Sequence, residues 1–203
     1  MKRSYSVRNV LDAKFRTLEF EGKWKDAIGC PELTGSWFIY GPPKNGKTSF
    51  AMQLAKYLSR FRRVAYNSIE EGMSLSIKLS MKRVGMADVG GRLILVKKEF
   101  DELTTFLNQP KSPDVVVIDS VQFMEMKFSE YKTLKSMFPN KLIIYVSHVT
   151  GEIPDGHAAR KIWRDSNVTF RIKAFKAFPI SRYGGGEPVV ISEEKVGEYW
   201  GNL

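Results

Sequence analysis

Gly41-Pro42-Pro43-Lys44-Asn45-Gly46-Lys47-Thr48 satisfies the spacing G-x-x-x-x-G-K-[ST]. It lies between an apolar run, Trp37–Tyr40, and a segment in which Phe50, Leu54, Leu58 and Phe61 keep helical spacing. A strand, a glycine-containing loop and a helix in that order constrain the chain more than any other feature. The glycines let the backbone fold around an anion, with N–H groups and a helix amino terminus pointing at it. Lys47 would add a positive charge for β- and γ-phosphates, and the Thr48 hydroxyl would ligate Mg²⁺. The loop, with Ser49 behind it, is therefore the expected cradle for ATP and Mg²⁺.

From Ser36 onward, short apolar runs alternate with amphipathic segments. The candidate strands are Trp37–Tyr40, Arg63–Asn67, Arg92–Val96, Val115–Asp119 and Leu142–Ser147. Each is nearly continuous in apolar residues, as expected for strands covered on both faces. Phe100–Leu107 and Tyr131–Phe138 read as helices, with a shorter one around Ala158–Trp163. Strand-like runs follow at Val168–Phe175 and Val189–Ser192, with Gly184-Gly185-Gly186 as the turn between them. The expectation is an α/β fold: a three-layer, doubly wound, mostly parallel sheet with an antiparallel hairpin at the end. Residues 1–35 are expected to form an amino-terminal arm, and 36–203 the domain.

Two acidic positions complete the loop's chemistry. Val115-Val116-Val117-Ile118-Asp119 puts a carboxylate at a strand's carboxyl end, where open α/β sheets place ligands. Asp119 is expected to hold the metal together with Thr48. The strand Arg63–Asn67 runs on into Glu70 and Glu71. Glu70 is the candidate base for activating water, with Glu71 as the alternative.

The set GPPKNGKT, YNSIEE, VVVIDSVQ and YVSHVTGE resembles, in order and spacing, the RecA-like ATPases, above all those of the bacterial RadA type and the DnaB-type replicative helicases. The resemblance spans roughly Ser36 to Ser192, and the short chain is similar to the stand-alone cores of phages and mobile elements. It implies that Glu70 is the catalytic base and that His148, ending its strand, senses the γ-phosphate where many relatives carry Gln. Ser181-Arg182-Tyr183-Gly184 resembles the family's Lys-x-Arg-x-Gly stretch, which makes Arg182 the residue that would reach a neighbouring subunit's phosphate. Ile180 departs from that pattern, since relatives have Lys there. The resemblance also implies a homo-oligomer, a ring or a filament, acting on DNA.

Composition is consistent with these expectations. The formal net charge is +10, which attracts polyanions. Single-stranded DNA is the favoured partner. Seven basic residues lie between Arg160 and Arg182 against one acid, Asp165, and the loops 121–130 and 149–160 would face the polynucleotide, with Phe123 and Phe128 able to stack on bases. The basic start (Lys2, Arg3, Arg8, Lys14, Arg16) could instead dock on a neighbouring subunit. A single cysteine, Cys30, and no long apolar run point to a cytoplasmic protein away from membranes. A regulatory ATPase with a protein partner is the alternative. A small-molecule kinase fits less well, because the IDS and SHVT segments have no place in it.

Overall fold

The computed structural model describes residues 4–201. Among the described residues, ten strands and eight α-helices follow one another. Helices α1 (Val7–Leu11) and α2 (Lys23–Ile28) precede β1 (Gly35–Tyr40), α3 (Lys47–Leu58) and β2 (Val64–Ser68). Next come α4 (Leu75–Val84), a 3-10 segment (Met86–Arg92), β3 (Leu93–Val96), α5 (Phe100–Leu107), β4 (Val115–Asp119) and α6 (Phe128–Met137). The chain then forms β5 (Leu142–Ser147), β6 (Val149–Thr150), β7 (Ile153–Pro154) and α7 (His157–Asp165). It closes with β8 (Val168–Lys173), β9 (Lys176–Ser181), β10 (Val189–Val190) and α8 (Glu193–Trp200).

Eight strands form one sheet in the order β10-β9-β8-β1-β5-β4-β2-β3. From β8 through β3 every pairing is parallel, and β9 and β10 add antiparallel edges. Side chains of a strand alternate between faces, so β1, β4 and β5 each serve two cores. Trp37 and Ile39 of β1 join Val115 and Val117 of β4 beneath α2, α3 and α4. Phe38 and Tyr40, with Val116 and Ile118, pack under α5, α6 and α7. This is the expected three-layer α/β architecture, and it explains why the central strands carry no polar alternation.

The register fixes the functional edge. Tyr40 lies opposite Ser147, Asp119 opposite Val146, and Ser68 opposite Asp119. The four central strands therefore end level with one another, and the loops that follow them share one edge of the sheet.

The terminal hairpin differs from its expected position. The run Val168–Phe175 does not continue as one strand: β8 turns at Ala174–Phe175 and returns as β9, with Lys173 opposite Lys176. Both turn residues have positive φ, 45° and 59°. Such a two-residue turn ordinarily carries Asn or Gly, so Ala-Phe gave no turn signal. The three glycines instead join β9 to β10, where Gly185 approaches the backbone of α2 so closely that a Cβ would lie 2.5 Å from the carbonyl carbon of Ala27.

Within the first 35 residues, positions 4–17 are exposed, with Leu11 at 78% and Phe15 at 63%. From Leu18 on, Phe20, Trp24, Ala27 and Ile28 are buried in the core beneath α3. Lys2 and Arg3 lie outside the described residues.

Candidate nucleotide site

The phosphate loop is held from below and from the side. Gly41 approaches β8 so closely that a Cβ would sit 2.3 Å from the Ile172 carbonyl oxygen, and only glycine fits. Asn45 donates to the Pro43 carbonyl at 2.9 Å and accepts the Ala174 N–H at 2.7 Å, tying the loop to the β8–β9 turn. Lys44 (φ 60°) and Gly46 (φ 98°) adopt left-handed conformations that swing the chain into α3. That helix starts at Lys47 without a side-chain cap, so its first N–H groups are available to an anion. Pro42 and Pro43 bring no N–H to the loop, which leaves the donor role to Lys44 through Thr48.

Lys47 is buried, and its Nζ donates to the Pro42 carbonyl at 2.8 Å. Burial pushes its ammonium down from the ordinary lysine range, and the charges of Asp119 and Glu70 oppose this. Thr48 Oγ1 donates to Asp119 Oδ2 at 3.1 Å, and the Tyr66 hydroxyl donates to the same oxygen at 2.6 Å. Burial raises the Asp119 carboxyl, while these two hydrogen bonds and Lys47 hold it down. The Asp119–Ser120 peptide is cis.

Glu70 follows β2 and lies across the site. Its carboxylate is 3.7 Å from His148 Nε2. Burial raises the Glu70 carboxyl, His148 opposes the rise, and Asp119 adds to it. Glu71 turns away to accept a hydrogen bond from Ser76. His148 is positioned by Gln122, whose side chain accepts the His148 N–H at 3.1 Å and donates to Ser147 Oγ and the Asp155 carbonyl. Phe123, 52% exposed, lies beside the His148 ring.

The expected residues thus divide. Lys47, Thr48, Asp119, Glu70 and His148 meet at one edge of the sheet, with Ser49 in the first turn of α3. Arg182 does not join them. It follows Ser181, which pairs with Val168 at the far end of β8, about 17 Å along the strand from the turn beside the loop. Arg182 is therefore remote from the loop of its own chain.

Three features were not read from the sequence. Tyr66 touches Asp119 because β2 neighbours β4. Gln122 bridges the loops after β4 and β5. Phe175, Tyr199 and Trp200 form an aromatic group at the loop's side: Phe175 borders Gly46, Tyr199 packs on Phe175, and Trp200 donates to the Ala174 carbonyl. Only Gln122, next to the aspartate strand, carried any local signal.

These residues fit a magnesium nucleotide. Among the described residues no group of three or more His, Cys, Asp or Glu could hold a metal alone. Magnesium bound through one carboxylate, one hydroxyl and substrate phosphates needs no such group. A cavity of about 680 Å³ lies elsewhere, over the carboxyl-terminal half of α3 near Trp24 and Tyr57. The loop is an open turn in which backbone N–H groups would contact an anion, so cavity size is a poor guide to it.

No protein-family model matches the chain, and no curated protein matches it by sequence. Solved structures do match. The flagellar accessory protein FlaH from Methanocaldococcus jannaschii superposes with TM-score 0.61 at 15% identity, covering 88% of this chain and 96% of that one. A KaiC-like protein from the hyperthermophilic archaeon Pyrococcus horikoshii gives 0.63 at 11%, covering 86% and 94%. The RadB recombinase gives 0.57 at 16%, covering 82% and 90%. The chain therefore has a RecA-like fold. Among the described residues no helix is long and apolar enough to cross a membrane.

Proposed function

We propose that this chain binds and hydrolyses ATP with Mg²⁺ and that single-stranded DNA stimulates the reaction in a homo-oligomer. The observation that carries the reading is the meeting of Lys47, the Thr48–Asp119 pair and Glu70 at one edge of the sheet. The Lys44–Thr48 amides and Lys47 hold the triphosphate tail, and Thr48 and Asp119 hold the metal. When bound, magnesium neutralises charge on the β- and γ-phosphates. Glu70 takes the proton of the attacking water, for which a carboxyl raised by partial burial is suited. His148, 3.7 Å from Glu70, orients that carboxylate and senses the terminal phosphate.

Assembly and DNA coupling are supported by three features. The exposed apolar side chains of residues 5–15 have no core to enter. Arg182 is too far from its own loop to act there. The hairpin β6–β7 and the exposed Phe123 stand beside His148, so a polymer bound at those loops would border the candidate base. ATP turnover measured with and without oligothymidylate over a range of salt tests this. Stimulation that weakens steeply with salt is expected. A rate unchanged by DNA at every salt concentration excludes it. That result would favour a regulatory ATPase with a protein partner, a reading that the likeness to a flagellar accessory protein supports.

A pH profile separates the roles of Glu70 and His148. His148 holds the Glu70 carboxyl down against burial, so His148→Ala lets it rise. Turnover that needs ionised Glu70 should then lose its acid limb at higher pH than in the wild type. A limb that stays in place would show that His148 does not act through Glu70.

A further inference from the structure

We infer that the groove between α6 and α7 is a track for single-stranded nucleic acid, in which lysines and an arginine take phosphates and Phe128 takes a base. The inference rests on the DNA-coupled reading above and names a site for it.

Both helices lie on the sheet face opposite α3 and run from the functional edge towards the far edge. Lys132 and Lys135 lie one turn apart on α6, Lys161 and Arg164 one turn apart on α7, and all four line a groove of about 570 Å³. The Phe128 ring gathers two of them: Lys132 Nζ is 5.0 Å and Lys161 Nζ 4.8 Å from its centroid. Both distances are within cation–π range. Phe128 stacks on Tyr131 with centroids 5.5 Å apart and planes at 19°, and Lys135 Nζ lies 5.9 Å from the Tyr131 ring.

Among the described residues, three of these four cations lack counter-charge. Asp165 is already occupied, accepting from Lys135 Nζ at 2.6 Å and from the Tyr131 hydroxyl. Glu130 is occupied as well, accepting the backbone N–H of Lys127 at 2.7 Å. Among the described residues, Lys132, Lys161 and Arg164 have no carboxylate within 4.0 Å. Like charges set one turn apart repel, and an external anion relieves that. Cations spread over two helices suit a polymer better than a single ion. An acidic peptide would meet the charges but would give the half-buried Phe128 no planar partner, whereas every nucleobase offers a π-face. Because α3 lies across the sheet, filling the groove leaves the phosphate loop open.

Fluorescence anisotropy with a dye-labelled oligothymidylate and the full chain tests the assignment. Lys132→Glu/Lys161→Glu should weaken binding by about tenfold or more and lower the slope of log affinity against log salt by about 2. Phe128→Ala should weaken binding about tenfold. Turnover without DNA and the melting temperature should stay at wild-type values in both variants. Wild-type affinity and slope in the double variant would overturn the track and leave the DNA-coupled reading standing. An equal loss from Lys78→Glu/Lys82→Glu on α4 would also overturn it, since net charge alone would then account for the effect. Displacement by polyglutamate as effective as by unlabelled oligothymidylate would reassign the groove to an acidic protein. A wild-type chain that binds no oligothymidylate would overturn both the track and the reading beneath it.

Discussion

Glu70→Gln is expected to lower ATP turnover by about 10²–10⁴-fold, the usual contribution of a positioned general base, and to leave nucleotide affinity near the wild-type value. The amide keeps the shape of the carboxylate but cannot accept the water's proton. Binding should survive because Glu70 stands across the site from the loop, 3.7 Å from His148, and does not support the backbone around Gly46. The substitution also removes a negative charge facing Lys47 and Asp119, so any change in affinity should be towards tighter binding of an anion. Single-turnover hydrolysis and fluorescent-nucleotide binding on the same preparation check both halves. A variant that hydrolyses at the wild-type rate would remove Glu70 from the mechanism and return attention to Glu71, whose carboxylate is engaged with Ser76.

Lys47→Ala should weaken nucleotide binding by about 10–100-fold, the effect of losing a charge-assisted hydrogen bond to a phosphate, and should abolish measurable turnover. The physical reason lies in how the ammonium is held. It is buried beside two carboxylates and fastened to the Pro42 carbonyl, so it is desolvated before any ligand arrives. A triphosphate replaces that carbonyl with a stronger acceptor, at little further desolvation cost. Fold stability should change little, because Lys47 makes one hydrogen bond at the loop and does not belong to either apolar core. Competition binding with ATP, alongside thermal melting, checks the two effects separately.

Legibility in the sequence followed the reach of each signal. Strands β4 and β5 have the bounds expected from their apolar runs, because a strand covered on both faces has no polar positions to blur it. The loop at Gly41–Thr48 was readable because its function depends on backbone freedom at fixed spacing. Glu70, Asp119 and His148 were readable as ends of strands, and the parallel register then brought them together. What escaped depends on pairing between distant segments. Tyr66 is an apolar-run residue until β2 is set beside β4, where its hydroxyl meets Asp119. The β8–β9 turn escaped because Ala174 and Phe175 adopt positive φ without Gly or Asn. Leu18 through Ile28 fall within the segment expected to be an amino-terminal arm, yet one face of them enters the core under α3. Arg182 was readable as a motif, but only the antiparallel return of β9 places it at the far end of the sheet.

Titration calorimetry of the wild-type chain with ATP, in magnesium and again in excess chelator, bears most directly on the central claim that a magnesium triphosphate sits in the loop around Lys47. A saturable single-site heat that weakens markedly when the metal is chelated is predicted. No heat in either buffer, or identical binding in both, would contradict it.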